Sequence, residues 1–103
     1  MQSHRQWLLE RHGSICAYCG TETAPEAITL DHVRPRKGKE AYDRADNLVL
    51  ACRDCNAQKA DTPLLAFLLA RRSRAVFLLH YGDHLSEPLK QLAKQASERP
   101  LAE

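Results

Sequence analysis

Four cysteines fall in two pairs, Cys16 with Cys19 and Cys52 with Cys55, each pair holding two residues between its members. Between the pairs lies the stretch 20–51. Few foldable chains accommodate that pattern. A disulfide framework belongs to secreted proteins, and the first ten residues lack the apolar core of a secretory leader. A thioredoxin-like redox motif needs only one such pair. Two pairs at this spacing close around a single tetrahedral zinc. The expectation is a structural zinc held by Cys16, Cys19, Cys52 and Cys55, in a cytoplasmic protein. Apolar residues make up 44% of the chain and form no run near the ~20 residues of a membrane span, so no membrane partner is expected.

The zinc staples what lies between and after the pairs. Gly20 follows Cys19 and permits the tight turn of a zinc knuckle. Residues 28–33, I-T-L-D-H-V, read as a strand, with Ile28, Leu30 and His32 on one face and Thr29, Asp31 and Val33 on the other. Pro35 ends it. Residues 36–46 form a polar loop, and Asn47 opens a second strand, Leu48, Val49 and Leu50, that delivers the chain to Cys52. A short helix spans about 53–60. The order strand, loop, strand, helix predicts an α+β fold. Helices flank it on both sides: one from a Ser3 cap to about His12, one from a Thr62 cap through Pro63 to about Tyr81, and one from Ser86 to about Glu98. With 103 residues, a single domain over 1–103 is expected, with a zinc-stapled core at about 14–61 and a helical extension at about 62–98.

Asp31, His32, Asn47 and Asn56 carry the chemistry. Each alone has an ordinary structural explanation: a paired aspartate, a strand-end histidine, a turn asparagine, a knuckle hydrogen bond. Their order beside two cysteine pairs makes them a set. Asn56 stands on the first turn of a helix that Cys55 anchors, and the sheet fixes Asp31 relative to that helix. A divalent ion between Asp31 and Asn56 would have two oxygen ligands and keep water and phosphate elsewhere, the arrangement magnesium favours. An imidazole titrates near neutrality, which suits His32 to take a proton from attacking water.

Residues 15–60 resemble the HNH endonuclease family in its zinc-containing, McrA-like branch, and are similar to the core of phage endonuclease VII. The resemblance rests on C-A-Y-C-G, L-D-H-V-R-P, the N-L before the second strand, and C-R-D-C-N-A-Q-K. It implies a ββα-metal (His-Me finger) core. It also implies a DNA endonuclease in which Asp31 and Asn56 bind the catalytic ion, His32 is the general base, and Asn47 holds the loop and the base in place. The third letter of the HNH name is here Asn56, giving an H-N-N variant, and an amide oxygen favours Mg²⁺ or Mn²⁺ over imidazole-preferring ions. A further ligand one turn on would fall at Ala60 and is absent.

The formal charge is only +2, and four thiolates with one Zn²⁺ would add about −2. DNA affinity must therefore come from a local patch, and Arg34, Arg36, Lys37, Lys39 and Lys59 are the expected phosphate contacts. The apolar residues between Leu64 and Leu79 cover more of a helix than one buried stripe needs. They predict a homodimer through 64–79, with a helix broken near Ser73 or a last helix folding back over them as the alternatives. A non-catalytic zinc module binding nucleic acid or protein would explain the cysteines and the basic loop. It would leave Asp31, His32 and Asn56 unexplained.

Overall fold

The computed structural model describes residues 3–34 and 44–98. Helix α1 (His4–His12) starts where Ser3 Oγ accepts from the Gln6 amide at 3.1 Å, and ends at Gly13. Its sole fully buried residue is Leu8, so α1 is a surface helix lying on the sheet. Arg5 fastens it there, donating to the carbonyls of Ile28 and Pro25.

The sheet is two antiparallel strands, β1 (Ile28–His32) and β2 (Leu48–Cys52). Ile28 pairs with Cys52, Asp31 with Val49, and His32 with Leu48. A single 3₁₀ turn leads into each strand, at Pro25–Ala27 and at Ala45–Asn47. Leu48, Val49, Leu50 and Ala51 are all buried. Such a continuous apolar strand is covered on both faces: α1, α2 and the first knuckle pack on it. The knuckle is tied to it directly, the Ala17 amide donating to the Leu50 carbonyl at 2.8 Å. Helix α2 (Arg53–Lys59) follows β2 without a loop. The strand, strand, helix order of the core is therefore as the sequence predicts.

The predicted helix to Tyr81 is two helices, α3 (Leu64–Ala70) and α4 (Arg72–Tyr81). Arg71 is extended, with φ −150°, and Thr62 makes no cap: α3 begins after Pro63 with no side-chain cap bond. Arg74 accounts for the corner. Its buried guanidinium donates to the Phe67 carbonyl at 2.8 Å and to Gln58 Oε1, and lies 3.9 Å over the Phe67 ring. A backbone acceptor near the end of α3 is thus met by a side chain from α4. Helix α5 (Glu87–Glu98) buries Leu89, Ala93 and Ala96, a stripe at helical spacing, against α3 and α4. No helix of the described residues is long and apolar enough to cross a membrane.

Candidate functional site

The four cysteine sulfurs lie within 4.8 Å of one another. Tetrahedral zinc with Zn–S near 2.3 Å requires S···S distances of about 3.8 Å, and Cys19 Sγ lies 3.8 Å from Cys52 Sγ. Backbone amides point at the sulfurs, from Tyr18 to Cys16 and from Cys55 to Cys52, both at 3.4 Å. Gly20 supplies the left-handed turn (φ +72°) beside the first knuckle, and a Cβ there would meet the Phe77 ring. Burial pushes the Cys16 thiol up, and burial with the neighbouring Cys16 charge pushes Cys55 up further. Burial also opposes ionisation at Cys19, but hydrogen bonds with Thr21, Cys16 and Cys55 together outweigh it and bring that thiol down to about 7. Four thiolates this close repel unless a cation lies among them, so the residues fit a structural zinc.

Asp31 comes from β1, which pairs with β2, and Asn56 from α2, which Cys55 ties to the first knuckle. Asp31 is buried, at 7% exposure. The Tyr18 hydroxyl donates to its Oδ2 at 2.6 Å, and Lys59 Nζ lies 3.4 Å from the same oxygen. Burial, then the Asp31 charge, pushes the Tyr18 phenol well up, so that it is the donor in this bond. Asn56 is half-buried. Its Nδ2 donates to Thr29 Oγ1 at 2.8 Å, and that hydroxyl donates to the Ala51 carbonyl at 2.8 Å. Thr29 and Asp31 are two residues apart on β1 and share its α2-facing side. With its amino group anchored on Thr29, the Asn56 side chain turns its oxygen away from Thr29, and that oxygen suits a hard cation.

His32 is half-buried at the end of β1. Asn47 holds the backbone just beyond it. The Asn47 Oδ1 accepts from the Arg34 amide at 2.9 Å, its Nδ2 donates to the Arg34 carbonyl at 3.2 Å, and its carbonyl accepts from the Val33 amide at 2.8 Å. Arg34 is exposed at this rim. Arg36, Lys37 and Lys39 lie outside the described residues.

Lys59 sits differently from the surface position expected of a phosphate contact. It is 1% exposed, and its ammonium donates to the His32 carbonyl at 2.7 Å. Tyr18 and Thr29 are the supporting residues that sequence reasoning missed, and Lys59 is one it names for a different role. One signal was present for Tyr18: a tyrosine inside an apolar knuckle needs a partner for its hydroxyl. Away from the site, the His12 ring stacks on Tyr81 with centroids 3.7 Å apart.

Fold and site together define a small ββα domain stapled by a four-cysteine metal centre. Residues 16–62 match the HNH endonuclease family model. The chain is 42% identical over 55 residues to the CRISPR-associated endonuclease Cas9 of Actinomyces naeslundii, and 36% identical over 55 residues to that of Corynebacterium diphtheriae. Each match covers 53% of this chain and 5% of the relative, so the chain spans a small part of their length. The crystal structure of the Type II-C Cas9 enzyme from Actinomyces naeslundii is similar over 93% of this chain and 11% of that one, with a TM-score of 0.64 and 28% identity.

Proposed function

We infer that the chain is a metal-dependent DNA endonuclease, with a structural zinc on the four cysteines and one catalytic divalent ion, Mg²⁺ or Mn²⁺, held by Asp31 and Asn56. The observation that carries this reading is the support of Asp31 and Asn56, each by a side-chain hydrogen bond, with His32 next to Asp31 in the chain. When bound, the divalent ion would polarise the scissile phosphate and stabilise the departing oxyanion. His32 takes the proton from water as that water's oxygen bonds to phosphorus and the bond from phosphorus to the 3′ oxygen breaks. The departing 3′ oxygen takes a proton from solvent water, so the products are a 5′-phosphate and a 3′-hydroxyl. Asn47 holds the end of β1, and so the backbone that carries His32. Arg34, with Arg36, Lys37 and Lys39, meets the phosphate backbone. Lys59 supports Asp31 and His32 from inside.

The family match and the likeness to proteins named as endonucleases favour this over a non-catalytic zinc module. The exposed Leu65, Leu69, Val76 and Phe77 favour a homodimer through the helices at 64–79. The deciding experiment incubates zinc-loaded protein with plasmid and Mg²⁺, with and without EDTA, comparing wild type and His32→Ala. Cleavage by wild type alone, abolished by EDTA, is expected. DNA binding without cleavage would instead identify a binding module.

A further inference from the structure

Tyr18 lies between two cysteines of the first knuckle, is fully buried, and reaches a residue of the active edge. Its ring packs edge-on against Phe67 with centroids 5.0 Å apart, which fixes the direction of the hydroxyl. That hydroxyl meets Asp31 Oδ2 at 2.6 Å, and Lys59 Nζ approaches the same oxygen at 3.4 Å. Lys59 is fixed in turn by the His32 carbonyl at 2.7 Å. Both partners of the carboxylate therefore fall on one oxygen. Among the described residues, none hydrogen-bonds Oδ1.

We propose that Tyr18 is a positioning residue for the catalytic ion: with Lys59 it engages Asp31 Oδ2 and leaves Oδ1 as the single oxygen offered to the metal. This rests on the reading of Asp31 as a metal ligand. A carboxylate free to rotate could chelate through both oxygens or swing towards Lys59. Held at Oδ2 by a rigid phenol, it presents one oxygen in one direction, which suits an ion that keeps several waters. Hydrogen bonds to the outer side of a ligand orient it, and their loss typically costs roughly 10–100-fold in metal affinity or activity. The phenol belongs to the knuckle, so the four-cysteine centre fixes the donor as well as the strands. It thereby sets the aim of a ligand in a second metal site.

The test is Mn²⁺ binding, followed by electron paramagnetic resonance on zinc-loaded wild type, Tyr18→Phe and Asp31→Ala, with zinc content and thermal midpoint measured alongside. Tyr18→Phe keeps the ring and removes the donor. The expected result is an Mn²⁺ affinity about tenfold or more weaker in Tyr18→Phe, at unchanged zinc content. In cleavage assays the Mn²⁺ concentration for half-maximal rate should rise more than the rate at saturating Mn²⁺ falls. Affinity within twofold of wild type in Tyr18→Phe, with binding lost in Asp31→Ala, overturns the role of Tyr18 alone. Binding retained in Asp31→Ala overturns the ligand assignment beneath it. If Tyr18→Phe does not fold, a crystal structure of wild type with Mn²⁺ decides. Mn²⁺ on Oδ1, with Oδ2 still bonded to Tyr18, supports the proposal; Mn²⁺ on Oδ2, or on both oxygens, overturns it.

Discussion

The Lys59 ammonium lies 3.4 Å from Asp31 Oδ2, with the lysine side chain 1% and the aspartate side chain 9% exposed. A pair this buried offers less net stability than its Coulomb attraction suggests, because both charges are desolvated. Breaking it from one side is another matter. Lys59→Met keeps most of the stem and removes the charge, leaving a buried carboxylate with the Tyr18 hydroxyl. The expected loss is roughly 3–5 kcal/mol, read by urea unfolding of zinc-loaded protein. A loss below about 1 kcal/mol would put Lys59 in the class of exposed pairs, against its burial here.

Cys52 has two tasks. Its sulfur belongs to the four-cysteine cluster, and it also accepts from the Cys55 amide as the cap of α2. Removing it should take away both the zinc and the start of the helix that carries Asn56. Cys52→Ala is therefore expected to lose zinc and cooperative folding together, since binding free energy in such sites is folding free energy. Elemental analysis and circular dichroism check this. A folded variant with full zinc content would show that another group completes the site.

His32→Ala should lower single-turnover cleavage by about 10²–10⁴-fold, the usual worth of a positioned general base. It should leave DNA affinity and fold intact, because the support of the strand end comes from Asn47 and from Lys59 bonding the His32 carbonyl, which alanine retains. Measured rates equal to wild type would remove His32 from the chemistry and leave the zinc fold untouched.

The core was readable because its constraints are local. Paired cysteines fix two knuckles, and the alternation through residues 28–33 places Asp31 and Thr29 on one face. What stayed hidden depends on contacts between distant residues. Lys59 carries a charge and ends a helix, so by itself it reads as a surface residue. Only the packing of α2 on β1 turns it towards Asp31. The same holds for Arg74, whose buried bonds to Phe67 and Gln58 accompany the corner that splits the predicted helix. The surplus of apolar residues between 64 and 79 allows a break near Ser73, and the corner falls at Arg71, with Leu68 and Leu78 buried on either side of it.

Helix α5 covers much of the apolar surface that the sequence left without a partner, seating Leu89, Ala93 and Ala96 against α3 and α4. Leu65, Leu69, Val76 and Phe77 stay outside, between 38% and 42% exposed. A homodimer through these helices would bury them and bring two sites onto one two-fold particle. Light scattering of zinc-loaded protein at micromolar concentration should then give twice 11.7 kDa. The double variant Leu65→Glu with Phe77→Glu should give the monomer. A single species near 11.7 kDa for wild type across that range would rule the dimer out.

His12 couples the seat of α1 to pH. Its ring stacks on Tyr81, and its Nε2 is buried without a hydrogen-bond partner among the described residues. Burial first, then the charges of His84 and Arg11, bring its pKa down to about 4, with Asp83 opposing weakly. A free histidine titrates near 6.5, so between about 4 and 6.5 the unfolded chain holds a proton at His12 that the folded chain refuses. Stability then rises with pH wherever the unfolded state binds more protons. The contribution is full above about 6.5 and is lost as pH falls towards 4. Acid also protonates thiolates and releases zinc, so the comparison must be between proteins that share that loss. His12→Phe keeps a ring against Tyr81 and removes the titration. Its thermal midpoint should fall less steeply than that of wild type from pH 7 to pH 5, with both held at saturating zinc. Parallel curves would show that His12 takes up its proton in the folded state at an ordinary pH, and that the stack on Tyr81 opens to allow it.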